Sequence, residues 1–240
     1  MNSENQNFKM GLRDGLPICL GYLSVSFAFG IFATKSGLYI WQTLLISMFN
    51  LTSAGQLAAV PIIASLGSLA ELALTQLVIN SRYSLMSVSL SQKLGGSVGI
   101  FDRFIIAFAN TDEVFAVANG KGTLLGRRYL YGLIILPYVG WSLGTLVGAC
   151  AGEILPKIVI SALGIAIYAM FIAIVVPEMK ACKSTAFCVL FAIALSCLFR
   201  YAPYLKEIPA GFTIVICALL ASLLFAWLFP IDEDGGEENG

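Results

Sequence analysis

The sequence predicts an all-α membrane protein: a polytopic bundle of seven to eight transmembrane helices, with interrupted helices and an internal repeat. Three observations predict it. Of 240 residues, 58% are hydrophobic and only 12% charged, with mean hydropathy +0.87. A soluble domain carries about twice that charged fraction. Several apolar runs reach the ~20 residues that carry a helix across a bilayer. The alternating ten-residue pattern of outer-membrane barrel strands is missing from the sequence.

The elements follow in order. Residues 1–13 read as a polar N-terminal segment without a cleavable signal pattern, 14–230 as one transmembrane domain, and 231–240 as an acidic flexible tail. The first helix runs from Leu16 to Thr34, with Pro17 near its first turn, where a missing N–H is harmless. The second apolar stretch, Ile40–Leu66, is 27 residues long and has a small, polar middle, Asn50 to Gln56. Glycine and hydroxyl side chains weaken a helix there, so a break is expected near Ser53–Gly55. Broken helices survive at membrane depth where they line protein or a cavity.

The third helix is Leu69–Leu90, with Asn80 and Arg82 well inside it. The fourth, Phe104–Ala118, holds Thr111-Asp112-Glu113. Its 15 residues give only ~22 Å of helix, so it either spans inside a protein sheath or enters part-way. The fifth is Tyr129–Ala151, where Gly140, Gly144 and Gly148 make a small-residue face for tight helix contact. Helices at Ile158–Pro177, Thr185–Phe199 and Phe212–Phe229 follow as scaffold or as a surface for another membrane subunit.

A faint repeat relates helices one to three to helices five to seven. Gly21-Tyr22 pairs with Gly140-Trp141, and Ala54–Val60 pairs with Ala169–Val175. The halves are parallel if the fourth helix spans and inverted if it does not.

Charge and composition exclude several function classes. Residues 1–231 carry 14 bases against 9 acids, and the other five acids sit in the tail. A basic body suits loops against anionic lipid. No basic stripe with interleaved aromatics occurs, so nucleic acid is not expected as a partner. There is no histidine, and the six cysteines form no CxxC pair. Zinc, haem and Ser-His or Cys-His chemistry are therefore not expected, nor is any cofactor or enzymatic activity. No phosphate-binding Gly-x-x-x-x-Gly-Lys loop is present.

Orientation is weakly determined by charge. Eight spans with both ends inside place seven bases inside and six outside. Seven spans with the N-terminus outside place eight inside and five outside, which the positive-inside rule favours slightly. Both put the C-terminus in the cytoplasm.

Two polar stretches organise the chain: Gln76 to Tyr83, with its lone arginine, and Ala109 to Phe115, with adjacent acids. An ionisable residue at mid-membrane costs roughly 2.5–3.5 kcal/mol on insertion scales, so it faces the bundle interior and serves a function. The two stretches are expected to face one another across a polar site. Tyr83, Phe115 and Met86 are candidates for its apolar wall, against the plainer alternative of ordinary core.

Gly11-Leu12-Arg13-Asp14-Gly15-Leu16-Pro17, Gly21-Tyr22, Ala28-Phe29-Gly30, Ala54-Gly55-Gln56, Asn80-Ser81-Arg82, Thr111-Asp112-Glu113 and Leu155-Pro156 occur in that order. The combination, over about residues 10–183, resembles the AzlC family, the large subunit of bacterial branched-chain amino acid exporters. The resemblance implies a multi-pass inner-membrane transporter of valine-like amino acids working with a small AzlD-type membrane subunit. Two positions depart from the pattern. Leu57 stands where an aromatic is usual, and Leu163-Gly164-Ile165-Ala166 lacks an acid common in other members.

Under that reading the substrate site comprises Ser53, Gly55, Gln56, Asn80, Arg82, Thr111, Asp112 and Glu113. Arg82 would grip a carboxylate in a bidentate fork, or pair structurally with Asp112 or Glu113. The two acids would take an ammonium, relay protons, or cap a helix. Free N–H groups at the Ser53–Gln56 break suit a carboxylate. Gly55→Leu is then expected to fill the site without unfolding the protein. The alternatives are a non-transporting scaffold subunit, or a transporter of another small zwitterionic or apolar solute.

Overall fold

The structure, a computed structural model, describes residues 7–121, 124–152, 156, 158, 172 and 175–229. Among these residues every regular element is a helix, and the β-structure is one isolated bridge between Leu94 and Leu125.

Helix α1, Phe8–Lys35, starts eight residues before the expected Leu16. The Asn7 side chain caps it by accepting from the Met10 N–H at 2.9 Å. Residues 8–13 therefore form the first turns of this helix. Pro17 lies inside the helix, not in its first turn, and leaves the Arg13 carbonyl without its usual donor. The helix continues past it because its whole length is held against α7, Arg127–Ala151.

The α1–α7 pair is the spine of the molecule. Backbone meets backbone along it: Gly11 against Tyr129 and Gly132, Gly30 against Thr145 and Ala149. The predicted glycine face of α7 does this work, with Gly140 on Cys19, Gly144 on Leu23 and Ser26, and Gly148 on Phe27. A Cβ at Gly148 would run into the Phe27 carbonyl. Numbers rise together along both helices, so they run parallel. An inverted relation between these two leading helices of the expected repeat is thereby overturned. The matching segment Ala169–Val175 falls almost wholly outside the described residues, as do Leu163-Gly164-Ile165-Ala166, most of the helix expected at 158–177, and the acidic tail.

Two of the expected spans are hairpins of half-helices. α2, Ile40–Phe49, descends from the C-terminal end of α1 and ends at Asn50. α3, Ser53–Ala64, returns to the same end, where Val60 packs with Phe29, Ala33 and Leu38. The break is at 50–52, three residues earlier than expected, because Thr52 caps α3 and puts Ser53–Gly55 in its first turn. α4, Leu69–Ser91, then runs down the bundle. At the other end α5, Ile100–Phe108, rises beside the start of α7, where Asp102 pairs with Arg127 at 2.9 Å. α6, Asp112–Asn119, descends again, and Lys93 donates to the Asn119 carbonyl.

The single fourth helix of the sequence reading is thus two, split at 109–111 by the Thr111 cap. It enters part-way and returns. A long helix followed by a half-helix hairpin occurs at 8–64 and again, in the opposite direction, at 69–119.

α8, Lys183–Tyr201, packs on α9, Ala210–Leu228, which packs on this unit through α4 and α3. Glu71 on α4 anchors α9 by accepting from the Gly211 N–H at 2.8 Å. Among the described residues, α1, α7, α8 and α9 are long and apolar enough to cross a membrane. α4 is long enough, at ~35 Å, but more polar. Outward-facing Leu20, Leu77, Leu85, Leu143 and Leu223 are exposed, which a lipid environment accommodates.

Candidate functional site

Both hairpin tips stop at mid-bundle, level with the fourteenth or fifteenth residue of α1, α4 and α7. At the first tip Asn50-Leu51-Thr52 leaves the helical path. The Thr52 hydroxyl accepts from the Gly55 N–H at 3.1 Å. Gln56, wholly buried, ties the two arms together: its amide donates to Ser47 at 3.2 Å and to the Asn50 carbonyl at 2.6 Å. Gln76 on α4 holds the tip from behind. It donates to the Gly55 carbonyl at 2.8 Å and accepts from Asn50 at 3.0 Å and Asn80 at 3.1 Å. Leaving these backbone groups bare at this depth would cost several kcal/mol each.

At the second tip Thr111 caps α6, accepting from Val114 N–H. Asp112 and Glu113 occupy the first turn, where carboxylates stabilise the positive end of a helix. The Tyr22 hydroxyl contacts Thr111 at 2.6 Å and also donates to Glu113. Arg82 reaches across from α4 to Asp112 at 2.7 Å and donates to the Tyr83 hydroxyl at 3.0 Å. The pair is about half exposed on each side, 52% and 46%, because it faces an open cavity.

That cavity, of about 500 Å³, lies between the two tips. Its polar wall is Ser53 and Ala54 from the start of α3, Arg82, Thr111, Asp112 and Glu113. Its apolar wall includes Ile18, Val25, Leu51 and Trp141. Tyr22 and Trp141 meet edge to face, with ring centroids 4.9 Å apart. The volume falls within the ~300–1,000 Å³ of small-molecule sites. The formal charge of the wall is one negative, from one guanidinium and two carboxylates. Two helix N-termini at its edge, each worth about half a positive charge, offset it. The site suits a zwitterion.

The two polar stretches expected to meet do so, through Arg82 and Asp112. Of the eight expected site residues, Ser53, Arg82, Thr111, Asp112 and Glu113 line the cavity. Gly55, Gln56 and Asn80 do not; they fasten the α2–α3 hairpin to itself and to α4. A Cβ at Gly55 would strike the Thr52 hydroxyl and come within 2.7 Å of Gln76 Oε1. Gly55→Leu therefore breaks the hairpin clasp, where the sequence reading had it fill the site.

Tyr83 lines the cavity as expected. Phe115 packs on the core instead. Tyr22 and Trp141 are the site residues that reading the polar stretches missed. The signal available was their paired Gly-aromatic context, Gly21-Tyr22 and Gly140-Trp141. Among the described residues no three of His, Cys, Asp and Glu come together as a metal site.

The model of the AzlC protein family matches residues 17–155, which hold both hairpins and all but the first turns of the α1–α7 spine. The chain is 32% identical to an uncharacterized membrane protein of Archaeoglobus fulgidus over 180 residues, 74% of this chain and 78% of that one. It is 28% identical to the inner membrane protein YgaZ of Escherichia coli over 235 residues, 94% of each. A membrane protein of Helicobacter pylori is 26% identical over 149 residues, 61% of this chain and 64% of its own. No solved structure matches the chain.

Proposed function

The chain belongs to the AzlC family, and from that premise we propose that it is a secondary transporter exporting valine-like amino acids, the large subunit of a two-component exporter in the bacterial inner membrane. One observation carries the reading. A mid-membrane cavity of about 500 Å³ sets a guanidinium and two carboxylates against an apolar wall. A zwitterion with a branched aliphatic side chain satisfies all three surfaces. Two half-helix hairpins meeting from opposite sides supply the interrupted helices on which transporters build such sites. The role is binding and passage, without bond chemistry.

The bundle end that carries both the α1 and α7 N-termini is cytoplasmic in this reading. Lys9, Arg13, Lys93, Arg103, Lys121, Arg127 and Arg128 gather there, against Lys35, Arg200 and Lys206 at the other end. The positive-inside rule then puts the N-terminus inside, reversing the seven-span preference. α9 starts at the far end, beside Glu71, so the C-terminus is inside too. The outward faces of α8 and α9, where little is buried, are the surface offered to the small subunit.

The test is efflux from proteoliposomes across a panel of amino acids, with and without an AzlD-type subunit. Export of valine, leucine or isoleucine that needs the second subunit is expected. Failure to move any zwitterion in either condition refutes the reading. Full transport by this chain alone refutes the obligatory partner.

A further inference from the structure

Trp141 presents an anomaly that the site as described leaves unused. Its side chain is 3% exposed, it lines the cavity, and its Nε1–H has no hydrogen-bond acceptor among the described residues. A buried indole usually finds a partner for that group, because an orphan donor forfeits its hydration without replacement. The indole can only donate, so what completes it must be an acceptor. The same cavity is edged by the first turn of α3, where the Ser53 and Ala54 amides find no acceptor among the described residues. The two helix N-termini at the cavity differ in one respect. α6 carries Asp112 and Glu113 in its first turn, whereas α3 carries no acid there. The positive end of α6 is already neutralised, and that of α3 is open.

We propose that the Trp141 indole N–H and the first-turn amides of α3 form, with Arg82, the wall that recognises the substrate carboxylate, leaving Asp112 and Glu113 for the ammonium. The inference rests on the amino acid reading of this cavity and adds its polarity. Carboxylate donors come from α3, α4 and α7; ammonium acceptors come from α6. Substrate binding then links the two hairpins, one through each charge. The Tyr22–Trp141 contact gives the indole its fixed edge, so a ring without the N–H keeps the packing and loses only the donor.

Purified protein is titrated with L-valine, L-valine methyl ester, isobutyrate and isobutylamine, for wild type and Trp141→Phe. Wild type is expected to bind valine more tightly than its ester. The variant is expected to lose roughly 10-fold or more for valine and isobutyrate, with the ester and the amine unchanged. An unchanged ratio of valine to ester in the variant overturns the proposal.

If Trp141→Phe does not fold, the wild type still decides. In indole-¹⁵N-labelled protein the Trp141 N–H resonance, assigned by Trp41→Phe and Trp227→Phe, is expected to move downfield with valine and isobutyrate but not with isobutylamine. No shift with either acid overturns the proposal. Binding of isobutyrate but of no amino acid, with the same shift, sinks the amino acid reading and keeps the carboxylate wall. Binding of no carboxylate at all sinks both.

Discussion

The Arg82–Asp112 pair offers the sharpest separation of structural from substrate-binding roles. Two unit charges ~4 Å apart attract by about 4 kcal/mol at an effective dielectric of 20. A fully buried pair that loses one partner is destabilised by roughly 3–5 kcal/mol, as the sequence alone suggests for charges at mid-membrane. Both side chains are about half exposed to the cavity, however. Screening there brings the pair toward the ~0.2–1 kcal/mol of exposed ion pairs. Single changes are therefore expected to cost an intermediate ~1–2 kcal/mol.

Arg82→Gln and Asp112→Asn, singly and together, are to be followed by melting temperature in detergent and by amino acid efflux. Each single variant is expected to melt a few degrees lower. The double variant is expected to regain most of that loss, because neither charge is left alone. Transport is expected to be absent in all three, since the groups that hold carboxylate and ammonium have gone. An active double variant would sink the substrate-binding role. A double variant no more stable than either single would show that the two side chains are not coupled.

Three further outcomes follow from the geometry. Gly148→Ala is expected to lower the melting temperature by several degrees, because its Cβ would meet the Phe27 carbonyl, while Gly96→Ala, which meets nothing within 4 Å, is expected to be neutral; equal melting of the two refutes the α1–α7 contact. Tyr22→Phe removes the hydroxyl shared by Thr111 and Glu113 and is expected to cost ~1–3 kcal/mol, read as a drop in chemical-denaturation stability, with packing against Trp141 retained. Hydrogen bonds from the Ser184 hydroxyl and then the Thr185 amide pull the Cys182 thiol down to about 7, so its maleimide labelling is expected to rise through pH 7 and level off by pH 8; a midpoint near the ordinary thiol value refutes that environment.

The sequence by itself determined the solvent and the cast of residues. Hydropathy fixed a helical membrane bundle, because only backbone satisfied within each helix survives in lipid. Gly140, Gly144 and Gly148 named the tight face of α7, because four-residue spacing puts them on one side of a helix. Arg82, Asp112 and Glu113 announced a site, because charge at that depth is costly.

What the sequence could not determine was direction. An apolar run of 27 residues with a polar middle reads equally well as a bent span or as two arms returning to one side. Only the contacts of Val60 with Ala33 and Leu38, and of Asp102 with Arg127, decide for hairpins. The same contacts separate roles that look alike in the chain. Ser53 faces the cavity while Gly55, two positions on and rotated by ~200°, turns away from it, and Gln56 commits its amide to Ser47 and the Asn50 carbonyl. Tyr22 and Trp141 stayed hidden because neither lies in a polar stretch, and the shared Gly-aromatic pattern of Gly21-Tyr22 and Gly140-Trp141 marks the two positions as alike without bringing them to one site. Their place in the site comes from the parallel packing of α1 on α7, a tertiary fact that brings residues 119 positions apart into contact at mid-membrane.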